Sequence, residues 1–358
     1  MNKLIISSET LKPALNKLGQ AIGSNTALPI LGNLYFKVTP GFVDIIASNL
    51  EITLIYRIND PTATESFEFL VPFEFVNKIV AINRHCPLEF INGTVLKIKG
   101  PNDTYDIKAS EKVADYPKLP EVPVWNNFEI DSQLLSTLKV ALVTTCKPGG
   151  RFPHVLMELA PGKITIASTD GSFMCFSKEF VSSQENTAEL LLSHKVIKVL
   201  EGSDNAKLSY DDDRIAFVSG YITIINTRST EKFPNFRAIF PQEWPGNLTL
   251  SKHELLEALG KCSLSKDPFM TTRMDFDKPQ QIRFSATDDF IDINVSIQGE
   301  YTGPVKYTAV GADKLLQLLN QVDYSEITLA IHDSRRSIVV TSSEDEGYKA
   351  LLMPLATN

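Results

Sequence analysis

Four landmarks recur along this chain at a spacing of about 120 residues, and that spacing limits what it can fold into more than any other feature. Residues 41–52 read GFVDIIASNLEI, residues 162–173 read GKITIASTDGSF and residues 280–291 read QQIRFSATDDFI. Each is an apolar alternating run, then Ala-Ser or Ala-Thr, then Asn or Asp. Asn49 and Asp170 are 121 residues apart, Asp170 and Asp288 118. Ser8, Ser132 and Ser251 open amphipathic segments at intervals of 124 and 119; Pro72, Ser193 and Gly311 open second ones at 121 and 118. Pro117, Pro234 and Pro354 follow at 117 and 120. A period this long is a domain rather than a solenoid unit of about 20–50 residues. The spacing predicts three copies over 1–122, 123–245 and 246–358.

Within a copy the pattern predicts helix, several strands, helix, hairpin. Leu11, Leu15, Leu18 and Ile22 form an apolar stripe at helical spacing, with Lys12 and Lys17 off it. Pro13 falls in the first turns, and Ser7 or Ser8 is a suitable cap. Leu134, Leu135, Leu138 and Leu142 repeat the stripe, with Lys139 off it. Hairpins are expected around Asn92-Gly93 and Asp211-Asp212-Asp213. The proline-bearing stretches ADYPKLPEVP and KFPNFRAIFPQEWP read as extended connectors, with YKALLMPLATN in their place in the third copy. The fold class is therefore α+β: antiparallel strands with one apolar face, and two helices per copy on that face.

Composition excludes several functions. Of the 358 residues 43% are hydrophobic, ordinary for a globular chain, and no apolar run reaches a membrane span of about 18–20 residues. The start, MNKLIISSET, turns polar too early for a secretory leader. Cys86, Cys146, Cys175 and Cys262 are far apart, which suits thiols of a reducing cytoplasm rather than a disulfide frame or zinc site. The net charge of −8 argues against nucleic acid as a partner unless basic residues collect on one face.

No catalytic pattern emerges. The five histidines are scattered, without metal-ligand spacing. Gly260-Lys261-Cys262-Ser263 lacks the preceding glycine of a phosphate loop, since position 255 is a leucine on a helix stripe. Asp211–Asp213 reads as a solvated turn, and Asp170 and Asp288 lie in different copies. No enzyme, cofactor or metal is expected. A triplicated body of this kind suits a scaffold or binding protein.

The succession NTALPILGNL, ASTDGSF, KFPNFRAIFP and LLMPL, in that order over the whole chain, resembles the bacterial sliding clamps, the β subunits of DNA polymerase III. The resemblance implies a homodimeric ring around duplex DNA, with three clamp domains per protomer, sheets outside and helices lining the hole. It implies no catalysis: the ring tethers the replicative polymerase, the clamp loader and repair proteins through short linear peptides, in the cytoplasm and away from membranes. It assigns a DNA-facing set: Lys12, Lys17, Asn25, Lys78, Lys139, Lys147, Arg151, Lys198 and Lys252. Sequence-independent phosphate contact suits sliding; for any one lysine, an ordinary solvated helix face is the plain alternative.

By the same resemblance a partner-peptide pocket is formed by Phe152, Pro153, Thr169, Gly171, Phe173, Met174, Pro234, Ile239, Ser337, Leu351, Leu352, Met353, Pro354 and Leu355. The protomer contact falls on edge strands, Tyr105 and Ile107 facing Leu264. Several positions depart from the family pattern. Ser172-Phe173 stands for a His-Arg pair, Ala238 for an arginine, Gly311 and Lys314 for an Asn and a Tyr, and the chain ends Leu355-Ala356-Thr357-Asn358. They imply a pocket tuned to a variant peptide. Two rivals stay open: an accessory or element-encoded clamp serving another polymerase, and an enzyme whose site is assembled across the copies.

Overall fold

The computed structural model describes residues 2–23, 28–93, 95–108, 111–124, 126–146, 149–171, 174–241, 243–278 and 280–356. The first copy carries β1 (Asn2–Ser7), α1 (Ser8–Leu18), β2 (Asn33–Thr39), β3 (Gly41–Ser48) and β4 (Ile52–Asp60). It continues with β5 (Phe67–Pro72), α2 (Phe73–Ile82), β6 (Pro87–Asn92), β7 (Leu96–Lys99) and β8 (Thr104–Ile107). In the second follow β9 (Phe128–Ile130), α3 (Ser132–Val143), β10 (His154–Ala160), β11 (Lys163–Thr169) and β12 (Met174–Val181). Then come β13 (Ala188–Ser193), α4 (His194–Leu200), β14 (Ala206–Tyr210), β15 (Arg214–Ser219) and β16 (Ile222–Thr227). The third holds β17 (Gly246–Ser251), α5 (Lys252–Cys262), β18 (Thr271–Lys278), β19 (Gln281–Thr287), β20 (Asp292–Gln298) and β21 (Glu300–Thr302). It ends with β22 (Tyr307–Gly311), α6 (Ala312–Leu319), β23 (Glu326–Ile331), β24 (Ile338–Ser342) and β25 (Asp345–Leu352).

The period is finer than the sequence pattern predicts. Each copy is strand, helix, three strands, done twice; among the described strands β21 stands outside the scheme. Every copy thus begins with a strand, not a helix, and its closing hairpin gains a third strand. The stretch YKALLMPLATN is therefore not a pure connector, since its first residues belong to β25.

Two compact units divide the chain: Met1–Leu135 with Lys198–Arg228, and Ser136–Ile197 with Ser229–Asn358. In the first unit a four-stranded sheet runs β1-β6-β7-β8 and an eight-stranded sheet runs β5-β2-β3-β4-β16-β15-β14-β9. In the second, a nine-stranded sheet runs β13-β10-β11-β12-β25-β24-β23-β17-β21 and a four-stranded one β20-β19-β18-β22. The pairings are antiparallel. Copy boundaries and unit boundaries differ because β4 pairs with β16, and β12 with β25, so strands of neighbouring copies share a sheet.

The helices form where apolar stripes meet caps. In α1, Leu11, Leu15 and Leu18 are fully buried, each contributing about 1.5–3 kcal/mol. Ile22 lies beyond the helix, which ends at Leu18. Ser7 is the cap, its Oγ accepting the Thr10 N–H at 3.1 Å. Pro13 sits well inside α1, where its missing N–H leaves the helix intact. The second copy caps α3 with Asp131, which accepts the Leu134 N–H at 2.8 Å, rather than with Ser132. α1 packs on α2 and on β3 and β4, inner strands of the eight-stranded sheet; α5 packs on α6, β19 and β20. The aromatic heart of the first unit is Phe36, stacked 4.8 Å from Phe69 and tilted against Phe90 at 5.5 Å.

Candidate partner-binding cleft

The turn after β11 is built to hold one shape. Thr169 Oγ1 donates to the Met174 carbonyl at 2.8 Å and accepts the Gly171 N–H at 3.0 Å. Asp170 Oδ1 accepts the Met174 N–H at 2.9 Å, and the Cys146 thiol donates to the Asp170 carbonyl at 3.2 Å. Gly171 is in the left-handed region at φ +75°. A side chain there would place Cβ 2.7 Å from the Phe152 ring. The glycine thus serves both the backbone and the closeness of Phe152. Gly171→Ala is expected to lower the unfolding free energy by about 1–2 kcal/mol from the backbone alone, with Phe152 displaced as well. An unchanged melting temperature would contradict this account.

Between this turn, the connector and the last strand lies a cleft of about 230 Å³. Phe152, Thr169, Gly171, Met174, Pro234, Ile239, Ser337, Leu351 and Met353 line it, together with Asn235 and Phe236. Beneath it, Leu156, Ala167, Cys175, Leu191, Phe236 and Leu351 form one apolar cluster. Burial, with Asp170 nearby, pushes the Cys175 thiol up to about 12, so it stays a neutral packing group. A second chamber of about 330 Å³ adjoins, sharing Met174 and Met353. Leu352, Leu355, Pro268, Phe269, Val310, Gly311, Asp313, Lys314 and Asp170 complete its wall. The tail is held there by the Leu355 N–H, which donates to the Ala309 carbonyl at 2.9 Å.

Of the residues expected from sequence, nine line the first chamber, and Leu352 and Leu355 line the second. Pro153 and Pro354 lie beside the cleft in sequence without lining either chamber. Phe173 is outside the described residues. Phe236, buried at the floor and seated in a short 3-10 turn over Phe236–Ile239, was not expected. Its signal was legible as an apolar residue inside the connector KFPNFRAIFP. Phe269, 60% exposed on the second chamber, carried no such signal.

The basic set divides. Asn25 and Lys147 lie outside the described residues. Lys12, Lys139, Arg151 and Lys198 are exposed. Lys78 is exposed but paired with Glu74 one turn away. Lys17 is half-buried, and its ammonium donates to the Val199 and Glu201 carbonyls at the end of α4. Burial pushes its pKa down, against the pull of Glu201. Lys252 likewise donates to the Val322 carbonyl beyond α6. Lys17 thus caps the end of α4 and Lys252 ties down the turn beyond α6, tasks of which their place off the apolar stripe gives no sign.

At the proposed protomer contact, Tyr105 and Ile107 lie on β8, the edge of the four-stranded sheet. Ile107 is buried, contrary to an exposed apolar face, while Thr104 and Asp106, alternating with it along β8, are the exposed residues. The Tyr105 hydroxyl donates to Asp103 at 2.8 Å. Leu264 is 68% exposed.

Six β-α-β-β-β half-copies, with sheets shared between neighbouring copies, define the class: the fold is that of the DNA clamps. The comparisons are specific. Residues 2–120 match the family model described as DNA polymerase III beta subunit, N-terminal domain. The beta sliding clamp of Vibrio cholerae is 20% identical, covering 99% of this chain and 100% of that protein. That of Chlamydia pneumoniae is 21% identical, covering 99% and 98%. A crystal structure of the Pseudomonas aeruginosa clamp bound to griselimycin superposes with a TM-score of 0.89 at 18% identity, over 99% of both chains. The first third of the chain thus matches the β-subunit family model, and over its full length the chain is similar to bacterial β sliding clamps in sequence and shares their fold.

Proposed function

We propose that this chain is a sliding clamp: it encircles duplex DNA as a homodimeric ring of three clamp domains per protomer (1–122, 123–245, 246–358) and tethers its partners without catalysis. The partners are the replicative polymerase, the clamp loader and repair proteins, docked through short peptides in the two-chambered cleft, in the cytoplasm. The observation that carries this reading is the likeness to β clamps over the whole length of the chain. No described helix is long and apolar enough to cross a membrane.

Other features support it. Lys12, Lys139, Arg151 and Lys198 supply exposed charge for sequence-independent phosphate contact. Edge strands β8 and β20 offer unpaired backbone for self-association. Phe75, Ile82, Leu264 and Phe290, 51%, 71%, 68% and 80% exposed, are apolar side chains that such a contact would cover. An accessory clamp with its own polymerase is the second reading. It is favoured by Gly311 and Lys314 in the wall of the second chamber, where the family resemblance implies Asn and Tyr.

Topological linkage gives the test. Loaded onto a nicked circular plasmid by a cognate loader, the protein is expected to stay bound through a high-salt wash and to leave when the plasmid is cut once. Loss from the uncut circle in salt, or retention after linearisation, would overturn the reading.

A further inference from the structure

The first unit carries a cleft in register with the one just described. Thr53 pairs with Ile225 as Cys175 pairs with Leu351, so Ile225 stands where Leu351 stands and Thr227 where Met353 stands. Arg214 faces Thr227, and Ser337 immediately precedes Ile338, the partner of Leu352; Arg214 therefore holds the position of Ser337. The turn agrees as well: Leu50 has φ +74° and Gly171 φ +75°, each following an Asn or Asp whose side chain accepts backbone N–H groups of the turn. The second copy's turn is one residue longer. Pro117 and Leu119 of the first connector match Pro234 and Phe236 of the second.

These positions line a cavity of about 240 Å³. Its chemistry has changed sides. Where the second unit has Met353, Ser337 and Phe236, the first has Thr227, Arg214 and Leu119, with Lys118 beside them. Ser48 and Thr53, both buried, share a hydrogen bond of 2.8 Å at its lining. The Arg214 guanidinium donates to the Glu121 carbonyl at 3.2 Å, which fixes the fork at the mouth. Glu51 is the acid in the lining against these two cations.

Given the reading of the second-unit cleft as a peptide site, on which this step rests, we propose that the first-unit cleft is a second docking site, taking a short extended peptide with acidic side chains. Backbone geometry inherited from the repeat accepts an extended chain. Arg214 and Lys118 supply the charge that a carboxylate needs, and an Arg fork binds a carboxylate through two parallel bonds. An apolar anchor of the kind that suits Met353 and Phe236 finds hydroxyls and a guanidinium here instead.

The probe is a labelled, C-terminally amidated peptide alternating aspartate and leucine, compared by titration with its asparagine analogue on the full chain. Wild type is expected to prefer the aspartate form at least tenfold. Arg214→Gln and Lys118→Glu should each remove that preference with the melting temperature retained, while Met353→Asp keeps it. Persistence of the preference in both first-unit variants, or its loss in Met353→Asp, would overturn the proposal. A leucine-phenylalanine peptide run alongside separates the two readings. If it fails to bind while the Arg214-dependent preference holds, the second-unit reading falls and this one stands. If it binds and the aspartate peptide shows no preference, this proposal alone falls.

Discussion

Lys178→Met is expected to lower the unfolding free energy by about 3–5 kcal/mol, the cost of leaving a buried charge without its partner. Lys178 on β12 and Asp345 on β25 meet at 2.6 Å, with side chains only 11% and 17% exposed. The Tyr324 hydroxyl donates to the same carboxylate at 2.7 Å. This pair lies where the second copy's strands join the third's, in the register Lys178–Tyr348. Burial alone would raise the Asp345 pKa; the hydrogen bonds from Lys178 and Tyr324 outweigh it and hold the carboxyl below its usual value.

A depressed folded pKa fixes the sign of the pH effect. The stabilisation is fully present above the unfolded value of about 3.9 and is lost as pH falls through the lower folded value. Chemical denaturation of wild type and Lys178→Met should therefore differ at neutral pH and converge in strong acid. The double variant Lys178→Met with Asp345→Asn should recover most of the loss, since it removes the orphaned charge. Equal midpoints for wild type and the single variant at pH 7 would contradict the account.

Why the copies were legible and their halves were not follows from element length. The long amphipathic helices and the alternating runs of β3, β11 and β19 each display a full period. Strands β1, β9 and β17 are three to six residues long and meet a helix at once or after one residue, so their alternation is cut short before it can be read. β16 and β25 pair with strands of a neighbouring copy; nothing local marks a partner more than 160 residues away.

The cleft divides in the same way. Thr169, Gly171, Met174 and Met353 were nameable because the resemblance fixes positions along the chain, and the structure does bring them together. A proline-bearing connector reads as extended, and an extended chain gives no reason to bury Phe236; a single 3-10 turn brings this side chain into the core. Lys17 and Lys252 looked like solvated helix positions. Their carbonyl partners lie at the end of α4 and in the turn beyond α6, and come near only on folding. The in-register cleft of the first unit was hidden for a different reason: a shared backbone keeps its shape while Met353 and Ser337 give way to Thr227 and Arg214, so the side chains point away from the likeness.

Met353→Asp is expected to weaken binding of a leucine-phenylalanine partner peptide by about 100-fold, while the fold survives. Met353 is the residue for this test because it lines both chambers yet remains 38% exposed. A carboxylate there can stay hydrated in the free protein, so the melting temperature should move little. In the complex the same carboxylate would be covered by an apolar anchor, beside Met174, Leu351 and Leu352. Desolvating it without a partner costs at least the few kcal/mol that a central anchor contributes. Leu351→Ala would be a poorer probe, since Leu351 is buried in the cluster beneath the cleft and its loss opens a cavity. Fluorescence polarisation with wild type and Met353→Asp in parallel gives the answer. Unchanged affinity would place the peptide elsewhere on the molecule, whereas a loss confined to this variant's binding, at constant melting temperature, ties docking to the cleft that Gly171 and Phe152 shape.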